Sequence, residues 1–209
     1  MQTAFEDLSL ENIMARAAGG NERKASDDAA REIDQFFQSC GYLPHQPDLY
    51  RALCRLGASE IEHTSCRGMI LKGDPGIGKT LGLELLAKKF NWHLVTAREV
   101  QGFYATDPDF YEWENYCRAL NFYEEPQTLV IDDLGTEKFP FIHYGQQANP
   151  LEELLEIRYR QSFSRDRVRT IITCNLTDEE IRRRYGFRIA DRINEMYAVF
   201  TFRGKSLRA

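Results

Sequence analysis

The stretch GDPGIGKT, Gly73 to Thr80, constrains this chain more than any other. It fits G-x-x-x-x-G-K-[ST] in full, with the apolar run GMILKG before it and the amphipathic TLGLELLAKKF after it. A strand must enter this turn and a helix must leave it. The glycines let the backbone curl so that successive N–H groups point inward, where they hold phosphate oxygens. The helix adds its positive N-terminal end. Gly73, Asp74, Pro75, Gly76, Ile77, Gly78, Lys79, Thr80 and Leu81 are the expected nucleotide-binding set. In it Lys79 reaches the β- and γ-phosphates of ATP and the Thr80 hydroxyl takes Mg²⁺. A chance glycine-rich turn accounts poorly for a full match in this context.

TLVIDDLG supplies the complement. An apolar strand carries Asp132 and Asp133 to its C-terminal end, the edge at which open α/β sheets bind ligands. Asp132 is expected to hold Mg²⁺ through water, and Asp133 to polarise the attacking water. A third apolar strand, TIITCN, ends in Thr173, Cys174 and Asn175. A polar group there can position water or meet the γ-phosphate, although turn chemistry alone also favours Asn at strand ends.

From about residue 67 strands alternate with helices: GMILKG, TLGLELLAKKF, WHLVTA, DFYEWENYCRALNF, QTLVIDDLG, NPLEELLEIRYRQSF and VRTIITCN. That alternation implies a parallel sheet covered on both faces. Residues 1 to about 60 read as helical. LSLENIMARAA and SDDAAREIDQFFQSC open on capping residues, and a third helix starts near Pro47.

No uninterrupted apolar run is long enough to span a membrane, and the N-terminus lacks the basic-then-apolar pattern of a secretory signal. The five cysteines are scattered, with no C-x-x-C pair, which points away from zinc and toward a reducing, cytoplasmic compartment. Net charge is −5, but from Leu155 onward 13 Lys and Arg face 7 Asp and Glu. This basic third could meet DNA or a neighbour's phosphates, or could be paired locally.

The ordered set of GDPGIGKT, VIDDLG, IITCN, YGFRIADRI and VFTFRGKSLR resembles the DnaC/DnaI-type helicase loaders and the related IstB transposition helpers, both AAA+ ATPases. The likeness covers roughly residues 67 to 209. The segments YG-x-R-I-x-x-R and F-x-G-x-S-x-R are its more specific parts. It implies a P-loop NTPase three-layer α/β fold with a five-stranded parallel sheet, an ATPase domain over 61–209 and a helical partner-gripping segment over 1–60. It makes Asn175 the first sensor. It also implies an arginine finger, Arg192 first and Arg188 second, inserted into the ATP site of an adjacent subunit. A homo-oligomer follows from that. The partners implied are a replicative DNA helicase and single-stranded DNA. An IstB-like helper would act with a transposase on duplex DNA instead. A nucleotide-gated binding module with negligible turnover is a third possibility. Only 34 residues follow Asn175, too few for the helical lid many AAA+ proteins append, so slow hydrolysis without a partner is expected. One departure is the acid pair, Asp-Asp where Asp-Glu is usual.

Candidate DNA contacts are fewer. Residues 103–123 are rich in aromatics that could stack on bases, with Phe103 and Tyr104 the candidates, but acids lie among them and packing on the sheet is the simpler expectation. Arg98 and Lys138 are the basic candidates. The run Arg182–Arg184 fits either solvated surface or a neighbour contact.

Overall fold

The computed structural model describes residues 26–44, 46–64, 68–120, 125, 127–162, 169–204 and 206. The expected helix LSLENIMARAA, Cys66, positions 121–123 of the aromatic stretch and Arg208 of the closing motif lie outside them.

Three apolar runs become strands buried on both faces: β1 (Gly68–Gly73), β3 (Leu129–Leu134) and β6 (Thr170–Cys174). With β2 (His93–Thr96) and β7 (Tyr197–Phe202) they form a five-stranded sheet in the order β2-β3-β6-β1-β7. Every pairing is parallel. Parallel strands need crossovers, and helices supply them.

Alternation along the strands sorts the core into two halves. Ile70, Ile131 and Ile172 face one side, packed with Val100, Trp113, Leu154, Tyr185 and Ile189. Those partners come from α4 (Ala97–Tyr104), α5 (Phe110–Arg118), α6 (Pro150–Ser162) and α7 (Asp178–Met196). Met69, Leu71, Val130, Ile171 and Phe200 face the other side, packed with Ile33, Phe37, Leu53, Leu83 and Leu86. These belong to α1 (Asp27–Ser39), α2 (Pro47–Ile61) and α3 (Lys79–Phe90). The result is a three-layer α/β fold around a five-stranded parallel sheet, as expected. The early helices α1 and α2 share one core with α3 and the sheet.

Helix starts follow their capping residues. Ser26 accepts the Ala29 N–H, Gln46 accepts those of Asp48 and Leu49, and Pro47 sits where its missing N–H costs nothing. Thr96 with Glu99, Asp109 with Glu112, and Thr177 with Glu180 form capping boxes. Between β3 and α6 runs a short antiparallel hairpin, β4 (Phe141–His143) and β5 (Gln146–Ala148), turned at Tyr144 and Gly145, both at positive φ. Among the described residues no helix is long and apolar enough to cross a membrane. The described cysteines, Cys40, Cys54, Cys117 and Cys174, are free thiols.

The edge of the sheet opposite the P-loop is pinned by Arg158, 1 % exposed. Its guanidinium donates to the carbonyls of Arg118, Gln127 and Arg169 and to the Thr170 hydroxyl at 3.0, 3.3, 2.7 and 2.8 Å. Burial brings its pKa down to about 10. Arg158→Met keeps the volume but leaves these acceptors without their donor. We expect a loss of roughly 3–5 kcal/mol in urea unfolding, since each buried acceptor left without its donor costs about 1–3 kcal/mol.

Candidate functional site

The site stands at the C-terminal edge of β1, β6 and β3. At the start of α3 the N-cap is Gly78, at φ 103°, and no side chain caps the first turn. The N–H groups that Ser or Thr satisfy elsewhere in this chain are left here for an anion. Gly73 and Gly76 also have positive φ, of 140° and 81°. A Cβ on Gly73 would sit 1.9 Å from the Phe202 carbonyl oxygen, so only glycine lets β7 pass that close.

Lys79 lies under this loop, 5 % exposed. Its Nζ donates to the carbonyls of Gly73 and Asp74 at 2.8 and 2.9 Å and to Asn175 Oδ1 at 3.1 Å. Burial pulls its pKa below the usual lysine value, while Asp133, Asp132 and Asp74 push it back up. A buried ammonium held by neutral oxygens is well matched to a polyanion. The sheet order makes this contact possible. Because β6 lies between β1 and β3, Asn175 arrives beside Lys79 from 96 residues away.

The acids follow at the end of β3. Asp132, 5 % exposed, accepts from the Thr80 hydroxyl at 3.0 Å and from the Thr173 hydroxyl at 2.6 Å, both on Oδ1. Thr80 and Asp132 thus set two hard oxygens side by side. That fits Mg²⁺, which takes one or two protein ligands and fills its octahedron with water and phosphate. The Asp133 N–H donates to the same Thr173 oxygen at 2.7 Å. Asp133 itself sits at φ 55°, where the β3–β6 register shifts. That left-handed step breaks the regular strand at the second acid. Thr173 ties the acids to the strand that bears Asn175. The expected phosphate, metal and polarising residues are therefore brought into one place.

Parts of the site have no counterpart in the sequence reading. The Tyr42 hydroxyl, from the α1–α2 connection, donates to the Gly78 carbonyl at 2.9 Å. Behind β7 the chain doubles over the P-loop: the Gly204 N–H donates to Asp74 Oδ2 at 3.1 Å, and a Cβ on Gly76 would meet Ser206 Oγ at 2.3 Å. The closing F-x-G-x-S segment thus touches the phosphate loop. Beside the loop opens a cavity of 430 Å³ lined by Asp74, Pro75, Asn175, Thr177, Thr201 and the Lys72–Asp178 ion pair among others.

The two arginines lie beyond the glycine that breaks α7. Gly186, at φ 79° and ψ 164°, divides the helix, in a region essentially reserved for glycine. Arg188 and Arg192 share one face, as their spacing of four predicts, and both reach Glu156 of α6. Arg192 is tucked in, its side chain 18 % exposed and its guanidinium 4.2 Å from the Tyr159 ring centroid. Arg188 stands out, 72 % exposed. Their described contacts are with Glu156 and Tyr159 of α6 and not with the P-loop.

The aromatic stretch divides. Phe103 stacks on Tyr116 at 4.2 Å and Tyr104 packs edge-on to Trp113 at 5.1 Å, so both candidate base-stacking rings are taken up in packing. Among the described residues of the stretch, Phe110 and Tyr111 are the exposed aromatics. Arg98 Nε donates to the Thr136 carbonyl at 3.0 Å, and the Lys138 backbone pairs with the Gln101 amide.

No protein-family model matches the chain, and no curated protein does. Solved structures similar to it include a Streptococcus pyogenes serotype M3 protein described as a primosome component, 20 % identical over 68 % of this chain and 71 % of that one, TM-score 0.42. They also include the DnaC helicase loader, 15 % identical over 92 % and 99 %, TM-score 0.43, and DnaI, 18 % identical over 92 % and 93 %, TM-score 0.48.

Proposed function

We propose that this chain is an ATPase that loads or remodels a replicative DNA helicase in the cytoplasm, with ATP state controlling its self-assembly and its contact with single-stranded DNA. One observation carries the nucleotide half: Lys79, Thr80, Asp132 and Asn175 converge under an uncapped helix N-terminus, linked by bonds of 3.0 to 3.1 Å. Lys79 and the loop N–H groups hold the β- and γ-phosphates. Thr80 and Asp132 hold Mg²⁺, which neutralises charge on the transferring phosphoryl group. Asp133 orients the attacking water, and Asn175 meets the γ-phosphate. Arg192, with Arg188 beside it, completes the site of an adjacent copy. The helicase half rests on the sequence resemblance, carried by YGFRIADRI and the closing segment. The proposed division keeps 61–209 as the ATPase domain and gives 1–60 a role in gripping the partner.

Binding of a fluorescent ATP analogue with Mg²⁺ tests the first half. Lys79→Ala is expected to weaken it by about 100-fold or more, as loss of one member of a buried charge pair does. Equal binding by the variant sinks the assignment. Affinity capture from a cell extract with ATP present tests the second half. Recovery of the replicative helicase supports loading; recovery of a transposase and no helicase replaces it with the helper role.

A further inference from the structure

The turn that follows the acid pair is held by a buried carboxylate that the site described above does not use. Glu137 is 5 % exposed and lies in the irregular segment between β3 and the hairpin. One of its oxygens, Oε2, accepts the Gly135 N–H at 2.9 Å, so the side chain folds back over the acid turn. The same turn is closed by Thr136, whose N–H and hydroxyl both donate to the Asp133 carbonyl at 3.1 and 2.9 Å. The other oxygen, Oε1, accepts the Tyr185 hydroxyl at 2.6 Å and lies 3.3 Å from Arg184. Arg184 also donates to the Glu137 carbonyl at 2.7 Å.

The placement of those partners matters. Tyr185 is fully buried and is the last residue before Gly186, the break in α7. Arg188 and Arg192 lie just beyond that break. The Arg184 carbonyl in turn accepts from Asn149, next to the start of α6, the helix whose Glu156 holds both arginines. Glu137 is thus bonded on one side to the backbone that orients Asp133 and on the other to the residues that set where the arginine arm begins. Both Glu137 carboxylate oxygens and the Tyr185 hydroxyl are paired, while the buried Arg184 Nε has no hydrogen-bond partner among the described residues; breaking either Glu137 bond leaves a charge or a hydroxyl unpaired in a low dielectric, which makes the link stiff. Burial, with Glu137 beside it, pushes the Tyr185 hydroxyl far above its usual pKa, so it stays a donor.

We propose that Glu137 is a positioning residue that ties the acid turn after β3 to the arginine-bearing half of α7, so that nucleotide bound in one subunit sets the arginines offered to the next. This rests on the site being an ATP site completed across subunits. Glu137 touches no reacting atom; it acts through Asp133 on one side and through Tyr185 and Arg184 on the other. Glu137→Gln keeps the shape but sets an amide N–H₂ against a donor in either orientation, the Gly135 N–H or the Arg184 guanidinium. Tyr185→Phe removes a single bond and keeps the ring in its core position.

Hydrogen exchange on the full chain, with and without Mg²⁺ and a non-hydrolysable ATP analogue, separates the outcomes. In the native protein the analogue should slow exchange at 73–80 and change it at 187–196 by about fivefold or more, the low end of ordinary coupling between sites. In Glu137→Gln and in Tyr185→Phe the protection at 73–80 should persist and the response at 187–196 should vanish. If Glu137→Gln does not fold, Tyr185→Phe carries the test. A response at 187–196 in the variants equal to the native one overturns the proposal. So does a native protein protected at 73–80 with no response at 187–196. Failure of protection at 73–80 in the native protein overturns the ATP site itself, and this inference with it.

Discussion

Arg192→Ala is expected to leave ATP binding by the isolated subunit unchanged and to lower turnover by the assembled protein about 10³-fold or more, the range in which arginine fingers act. The geometry explains why the two readouts should part. The described contacts of Arg192 are with Glu156 and Tyr159 on α6 and not with the oxygens that hold Lys79, so on the proposed reading it is not needed to hold its own subunit's nucleotide. On the proposed reading its charge acts where another subunit's phosphates come to that face. Arg192→Lys should rescue little, because an ammonium lacks the planar fork that spans two phosphate oxygens. Arg188→Ala is the control. Arg188 is the more exposed of the pair and shares Glu156 with Arg192. If its loss costs the large factor and Arg192→Ala costs little, the finger is Arg188 and Arg192 is a packed support. Steady-state phosphate release, measured beside equilibrium nucleotide binding, decides between them.

The second large effect concerns Asp133. Asp133→Asn should cut turnover by about 10²–10⁴-fold, the usual contribution of a positioned base, while ATP binding and assembly stay intact. The substitution is clean for a backbone reason. Asp133 sits at φ 55°, a left-handed conformation that Asn tolerates as readily as Asp. Its N–H bond to Thr173 and the Thr136 bonds to its carbonyl involve backbone atoms and survive the change. What is lost is the carboxylate charge. Undiminished single-turnover hydrolysis in the variant removes Asp133 from the chemistry and leaves it a turn residue.

The parts of this protein that were legible in the sequence are those whose chemistry is local. Gly73–Thr80 carries its own glycine turn, helix start and lysine in consecutive residues, and the structure has that turn and that helix. The acid pair was legible because an apolar strand ends on it. The pairing of Arg188 with Arg192 followed from helical spacing. Juxtapositions across the sheet were not legible, since no local signal encodes strand order. Strand-end chemistry alone leaves Asn175 open between a turn and a phosphate contact, and only the resemblance makes it a sensor; the sheet order is what sets it beside Lys79. Glu137 is a lone acid in an irregular stretch, and it becomes a buried hub only because Arg184 and Tyr185 arrive 47 and 48 residues later. In the aromatic run packing is the simpler expectation from the interleaved acids, and contacts among Phe103, Trp113 and Tyr116 bear it out. The hairpin was missed because its strands are three residues each, too short to show alternation.

The central claim is that one subunit's arginine completes another subunit's ATP site, and a mixing experiment tests it most directly. Lys79→Ala removes the nucleotide-binding lysine but keeps the arginines; Arg192→Ala keeps the nucleotide site but removes the first-choice finger. Each variant alone should turn over ATP at background rate. Combined under conditions of assembly, they should recover a readily measured share of native activity, because the intact arginine of one meets the intact site of the other. No recovery in any mixture, together with normal hydrolysis by a dilute monomer, would contradict the account.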